Sequence, residues 1–169
     1  QAIHYIDILQ WVFGDISQVF CVGGTQLVDI EAEDTAALLY KFKSGAICSF
    51  SATTCARPKN ITASLSVLSD RGHISLGGNT INQISAFDIA DFDNSEIISE
   101  YTINDVSAAT YGHEAFYSLL PDIILNKKPP LVDGAEALKS VRILTASYES
   151  MFNNEVVSLN DYTPKRVKL

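Results

Sequence analysis

The chain of 169 residues is 47% apolar and 19% charged, with a formal net charge of −8. That length fits one domain, whose core buries roughly 70% of the surface that the unfolded chain exposes. The acidity disfavours non-specific binding to nucleic acid or to an anionic membrane, and no apolar run approaches the ~20 residues of a membrane helix.

Cys21, Cys48 and Cys55 are odd in number and lack metal-ligand spacing, so they read as reduced, mostly buried thiols of a cytoplasmic protein that holds no metal. The first residues run straight into a helical pattern. Ile3, Ile6, Leu9 and Phe13 recur at helical spacing, and Gly14 stands where a glycine ends such a helix. No Ser, Thr, Asp or Asn caps its start, and the chain's single Met is Met151. These features lead us to expect a fragment of a longer protein.

From Ser17 the period falls to two. Ala46, Cys48, Phe50 and Ala52 alternate with Ile47, Ser49 and Ser51, and Ile61, Ala63, Leu65 and Val67 alternate with Thr62, Ser64 and Ser66. Further strands are expected over residues 19–23, 35–42, 73–76, 81–87 and 97–103. The turns Lys43-Ser44-Gly45 and Ser69-Asp70-Arg71-Gly72 suit short hairpin loops with glycine in the left-handed region. Short connections imply an antiparallel meander, because parallel pairs need a long crossover.

After Asn104 the helical period returns. A helix is expected over residues 112–126, kinked or split at Pro121, which removes a backbone donor. A Lys127-Lys128-Pro129-Pro130 linker follows. Asp133 with Glu136 resembles a capping box that opens a long helix, whose apolar stripe is read as Leu138, Val141, Tyr148 and Met151. A last strand at 156–159 and a basic tail at 162–169 complete the order. The fold class is α+β: an open, mostly antiparallel sheet with helices packed on one face. The other face collects Ser49, Ser51, Thr53, Thr62, Ser64 and Ser66, small and uncharged. It is either a solvated surface or one that meets another sheet or a ligand.

His4-Tyr5-Ile6-Asp7 is the sharpest chemical constellation. On a helix the Asp7 carboxylate lies near the His4 imidazole. A carboxylate fixes the tautomer of a histidine and raises its basicity, which suits proton transfer to a hydroxyl or carbonyl. The same spacing also serves a purely structural or surface pair.

Residues 1–14, QAIHYIDILQWVFG, closely resemble the helix that opens the C-terminal domain of the Gfo/Idh/MocA oxidoreductases, where His-x-x-Asp runs through Leu and Trp to Gly. The resemblance continues in order through Glu33-Asp34-Thr35-Ala36, Phe42-Lys43-Ser44-Gly45-Ala46, Tyr111-Gly112-His113-Glu114 and the run from Pro130 to Ser140, over nearly the whole chain. Pro121 departs from the uninterrupted helix of the family.

The resemblance implies a full-length enzyme with an N-terminal Rossmann domain carrying G-x-G-x-x-G and Glu-Lys-Pro. Gly23-Gly24, Gly77-Gly78 and Lys127-Lys128-Pro129 do not supply those motifs. NAD or NADP is therefore expected in the full-length protein, through residues of a domain not in this chain, and none on this fragment. In the family a His on this helix handles the hydroxyl proton, and His4 occupies that position. The family's companion acid, four residues earlier, falls upstream of Gln1, which leaves Asp7 as a helper or a structural group.

Within the family, residues 1–5 and the Tyr-Gly-His entry are most similar to enzymes that oxidise UDP-N-acetylhexosaminuronic acids at the 3-position. The implied substrate is a sugar or UDP-sugar. Arg57 and Lys59 are the candidate cations for its diphosphate, or else belong to a solvated loop. His113 either donates to a substrate oxygen or is a surface residue of a first helical turn. A homo-oligomer through the open sheet face is expected. The competing reading is a non-catalytic assembly or sugar-nucleotide-binding module.

Overall fold

The computed structural model describes residues 2–61, 63–78, 81–93, 97, 108–130 and 132–164. In chain order its elements are α1 (Ile3–Phe13), β1 (Ile16–Gly24), β2 (Thr35–Phe42), β3 (Ile47–Thr53), β4 (Leu65–Ser69), β5 (Gly72–Gly77), β6 (Gln83–Ile89), α2 (Ala108–Leu125), α3 (Gly134–Asn153) and β7 (Val157–Ser158). They fall into two units, one comprising Gln1–Ala56 with Leu131–Leu169 and the other Arg57–Pro130.

The first unit holds a four-stranded antiparallel sheet in the order β3-β2-β1-β7. Leu38, Tyr40 and Phe42 on β2 alternate inward, as a half-buried strand requires. On β1 the inward residues are Ile16, Val19 and Cys21. A register shift between Ile16 and Gln18 inserts one residue and resets the phase, which is why clean alternation starts only after Ser17. The β2–β3 hairpin closes as its sequence suggests: Gly45 has φ +94°, and its N–H donates to the Phe42 carbonyl at 3.0 Å.

Helices α1 and α3 cover one face of this sheet. Ile6 and Leu9 are buried, and the Phe13 ring lies 5.3 Å from that of Phe42. Gly14 ends α1 with φ 79°, its N–H donating to Gln10 O. Asp133 caps α3 by accepting from the Glu136 N–H at 2.9 Å. The reciprocal half of a capping box is not made. Glu136 pairs instead with Lys139 at 2.8 Å.

The buried stripe of α3 differs from the expected one. Ser140, Ile143, Ala146, Ser147 and Ser150 face inward, whereas Leu138 and Val141 are exposed and Tyr148 and Met151 are half-buried. Small side chains let the helix lie close to β1, and their hydroxyls find partners on the spot. Ser147 donates to the Ile143 carbonyl at 2.8 Å. Ser150 accepts from the Cys21 amide at 2.9 Å and donates to the Glu155 carbonyl. Polar residues so satisfied pack as core, and apolarity alone does not reveal them.

The second unit contains the antiparallel sheet β4-β5-β6. The single meander read from the sequence is therefore two sheets, and the Ser/Thr face divides with it. Ser49, Ser51 and Thr53 belong to the first sheet, while Ser66 sits on β4 and bonds Ser75 at 3.0 Å. Gly72 is not a left-handed turn residue as expected: it opens β5 with φ +147°, and a Cβ there would stand 2.0 Å from the Asp88 carbonyl oxygen. The β4–β5 turn itself is Asp70-Arg71. Helix α2 runs unbroken through Pro121. The ring costs one backbone bond, and the helix continues past it to Leu125, where Asn126 N–H donates to Asp122 O at 3.0 Å. The strand expected over 97–103, Thr62 of the Ser/Thr face and the end of the tail, 165–169, lie outside the described residues, residue 97 apart.

Candidate functional site

His4 stands in the first turn of α1, exposed, and its imidazole makes no hydrogen bond among the described residues. The helix begins from Ala2, whose carbonyl accepts from the Tyr5 and Ile6 amides at 3.0 and 3.1 Å. The Asp7 carboxylate, one turn further, turns to α3: Ser140 Oγ donates to Asp7 Oδ1 at 2.8 Å. Gln10 Nε2 in turn donates to Ser140 Oγ at 3.0 Å. The bond that i,i+3 spacing offered between Asp7 and His4 is not formed.

Arg57 and Lys59 are exposed in the segment between β3 and β4, and His113 is exposed on α2. All three belong to the second unit. The three cysteines are free, with Cys21 buried and its thiol pushed up to about 11, first by burial and then by the charge of Glu33. Among the described residues no three His, Cys, Asp or Glu side chains form a metal-binding group, and no helix is long and apolar enough to cross a membrane.

Between α1, β1–β3 and α3 lies a cavity of about 180 Å³, lined among others by Ala2, Glu33, Phe50, Thr53 and Tyr148. The Tyr148 hydroxyl donates to Glu33 Oε1 at 3.0 Å, and Glu33 Oε2 is buried with no partner among the described residues. Burial and then the Glu33 carboxylate push the Tyr148 phenol up to about 12. Beside it, Asp34 is buried and collects three backbone amides: Gln26 N–H on Oδ1 at 2.9 Å, and Leu27 and Val28 N–H on Oδ2 at 2.8 and 2.9 Å. These bonds, that from Val28 foremost, hold its carboxyl well below the usual carboxylate range against the opposing effect of burial. Asp34 thus ties the loop between β1 and β2 to the start of β2.

Reading the sequence for reactive groups passed over Ser140, Tyr148 as a polar group, and the anchoring role of Asp34. The run Glu33-Asp34 before a strand was the available signal for the last.

Gly23-Gly24 close β1 and lead into a loop, and Gly77 closes β5. Among the described residues neither glycine pair forms the strand–turn–helix that cradles a dinucleotide pyrophosphate.

The Gfo/Idh/MocA family model for the C-terminal alpha/beta domain of the oxidoreductase family matches residues 1–159. The chain belongs to this family. It is the C-terminal domain of a Gfo/Idh/MocA oxidoreductase.

Two solved structures are similar over almost all of it. The WlbA dehydrogenase from Bordetella pertussis, in complex with NADH and UDP-GlcNAcA, is 30% identical over 94% of this chain, with a TM-score of 0.86. That from Chromobacterium violaceum, with the same two ligands, is 32% identical over 96%, with a TM-score of 0.85. This chain spans 46% of the length of each. An oxidoreductase domain protein from Kribbella flavida, 19% identical, shares the fold over 94% of this chain and 48% of its own at a TM-score of 0.75. No curated protein sequence matches.

Proposed function

We propose that this domain is the substrate-binding and oligomerisation half of an NAD- or NADP-dependent dehydrogenase that oxidises a hydroxyl of a UDP-linked sugar. The observation that carries the reading is the likeness, at 30% and 32% identity over 94% and 96% of the chain, to WlbA dehydrogenases in complex with NADH and UDP-GlcNAcA. In this reading the cofactor is held by a Rossmann domain upstream of Gln1, and the isolated chain neither binds nicotinamide nor turns substrate over.

The role of this chain is to bind the sugar nucleotide and to accept a proton. His4 takes the proton from the sugar hydroxyl as the carbon is oxidised. An exposed imidazole that makes no hydrogen bond among the described residues has a nitrogen to offer. Asp7 supports the helix that carries it. Arg57 and Lys59 meet the diphosphate and the sugar carboxylate, and His113 donates to a substrate oxygen. The outer face of the four-stranded sheet pairs with a second copy of the chain. Val22, Leu39 and Ile47, 55%, 53% and 80% exposed, stand there among small hydroxyls and support this pairing. In this reading the protein is cytoplasmic and takes neither nucleic acid nor membrane as a partner.

The test is nicotinamide absorbance on the full-length protein mixed with NAD or NADP and a panel of UDP-sugars and free sugars. Reduction with a UDP-sugar, and none with this domain alone, is expected. No cofactor binding and no reduction with any sugar would leave the assembly-module reading in its place.

A further inference from the structure

We infer that Ser140 of α3 is a positioning residue for the proposed oxidation. Acting through Asp7, it fixes the rotation of α1 about its axis and so the direction in which His4 presents its ring. The inference rests on the reading of His4 as proton acceptor.

The side chain of Ser140 is buried, 4% exposed, and its single hydroxyl makes two bonds to one helix, donating to Asp7 Oδ1 at 2.8 Å and accepting from Gln10 Nε2 at 3.0 Å. Asp7 and Gln10 are three residues apart, neighbours on one face of α1, so a single atom of α3 grips two successive turns. The bond to Asp7 is charge-assisted and directional. The rest of the hold on α1 is the packing of Ile6, Leu9 and Phe13 and, at the far end of the helix, a 3.4 Å bond from Ser44 Oγ to the Phe13 carbonyl, so around His4 the contact besides Ser140 is apolar and tolerates rotation. His4 lies one turn before Asp7 and its imidazole has no hydrogen bond among the described residues, so its ring goes where the helix takes it. Ser140 reaches no reacting atom. It acts through the helix alone.

The experiment uses the full-length protein with NAD and UDP-GlcNAcA, comparing Ser140→Ala, Asp7→Ala, Asp7→Asn and His4→Ala, each checked for cooperative melting. Asp7 is exposed, so its variants keep the inference testable should Ser140→Ala fail to fold. Ser140→Ala and Asp7→Ala should each lower kcat about 10-fold or more with KM within about 2-fold, as a misplaced acceptor does. The double variant should be no worse than the poorer single one, because both remove one coupled interaction. Asp7→Asn keeps an oxygen that accepts the Ser140 hydroxyl, so it should restore most of the turnover lost in Asp7→Ala and leave the acidic limb of the kcat/KM–pH profile in place. A displaced acidic limb in Asp7→Asn would make Asp7 the charge partner of His4 and overturn the inference. So would full turnover in a folded Ser140→Ala while His4→Ala is impaired. Full turnover in His4→Ala would instead remove the reading of His4 beneath it.

Discussion

The Tyr148 hydroxyl donates to Glu33 Oε1 at 3.0 Å, joining α3 to the residue that leads into β2 and closing one wall of the cavity beneath α1. Glu33 Oε2 is buried without a partner among the described residues, so Tyr148 is the donor that they offer this carboxylate. Tyr148→Phe should cost about 1–3 kcal/mol, the range for stranding a buried acceptor, read as a shift of the urea midpoint.

The same pair has an alkaline signature. The Tyr148 phenol is raised in the folded state from its ordinary 10 to about 12, so its contribution is complete below pH 10 and is lost as the pH rises towards 12. Wild-type protein should lose stability over that window faster than Tyr148→Phe, with the difference tyrosinate absorbance appearing at its upper end. Ionisation of Tyr148 at its ordinary pH would contradict the geometry.

Asp34 has the opposite sign. Its carboxyl is held below the usual range by the Val28, Leu27 and Gln26 amides, so it stabilises the fold above the unfolded-state value and loses that effect as the acid becomes protonated. The melting-temperature gap between wild type and Asp34→Asn should be widest near neutrality and should narrow as pH falls from about 5 towards 2. Amide exchange at residues 26–28 should speed up in the variant. A gap independent of pH would show that the charge is not what holds the loop.

Ser150 is fully buried and serves the Cys21 amide of β1 and the Glu155 carbonyl at once. Ser150→Ala strands both and should lower stability by about 1–3 kcal/mol with an unchanged denaturant slope. A loss under about 0.5 kcal/mol, the size of an ordinary surface substitution, would mean that the hydroxyl is dispensable.

These serines show where the sequence was legible and where it was not. Period-two runs such as residues 35–42, the glycine turn at Gly45 and the cap at Asp133 are set by local sterics and hydrogen bonding, and they were read at the right places. The face of α3 differs from the expected stripe because Ser140 and Ser150 are buried by virtue of partners far away in sequence, at Asp7 and Cys21, which no periodicity carries, and Ser147 is satisfied by the Ile143 carbonyl of its own helix. The division into two sheets also escaped a local reading, since strands 47–53 and 65–69 alternate alike whether or not they pair. At the candidate site His4 and Asp7 were visible as a pair on one helix, but the partner of Asp7 lies 133 positions away.

The outer sheet face carries a prediction of its own. Phe20, Leu39 and Ser49 stand in one cross-strand row, and Val22, Ala37 and Ser51 in the next. A charge in the middle of those rows should be costly in an interface and neutral on a solvated surface. Leu39→Glu in the full-length protein should therefore lower the mass measured by light scattering to that of the monomer while leaving the fold intact. A monomeric wild type, or an oligomer indifferent to Leu39→Glu, would place any assembly elsewhere.

The central claim is that this domain supplies the proton acceptor for oxidation of a UDP-sugar hydroxyl. Its most direct test is the initial rate of NAD reduction by full-length wild-type and His4→Ala proteins with UDP-GlcNAcA. We expect the wild type to turn over, and kcat of the variant to fall by about 10²- to 10⁴-fold, as for loss of a general base, with sugar binding retained. Equal rates in the two proteins would contradict the account and return His4 to an ordinary surface position on α1.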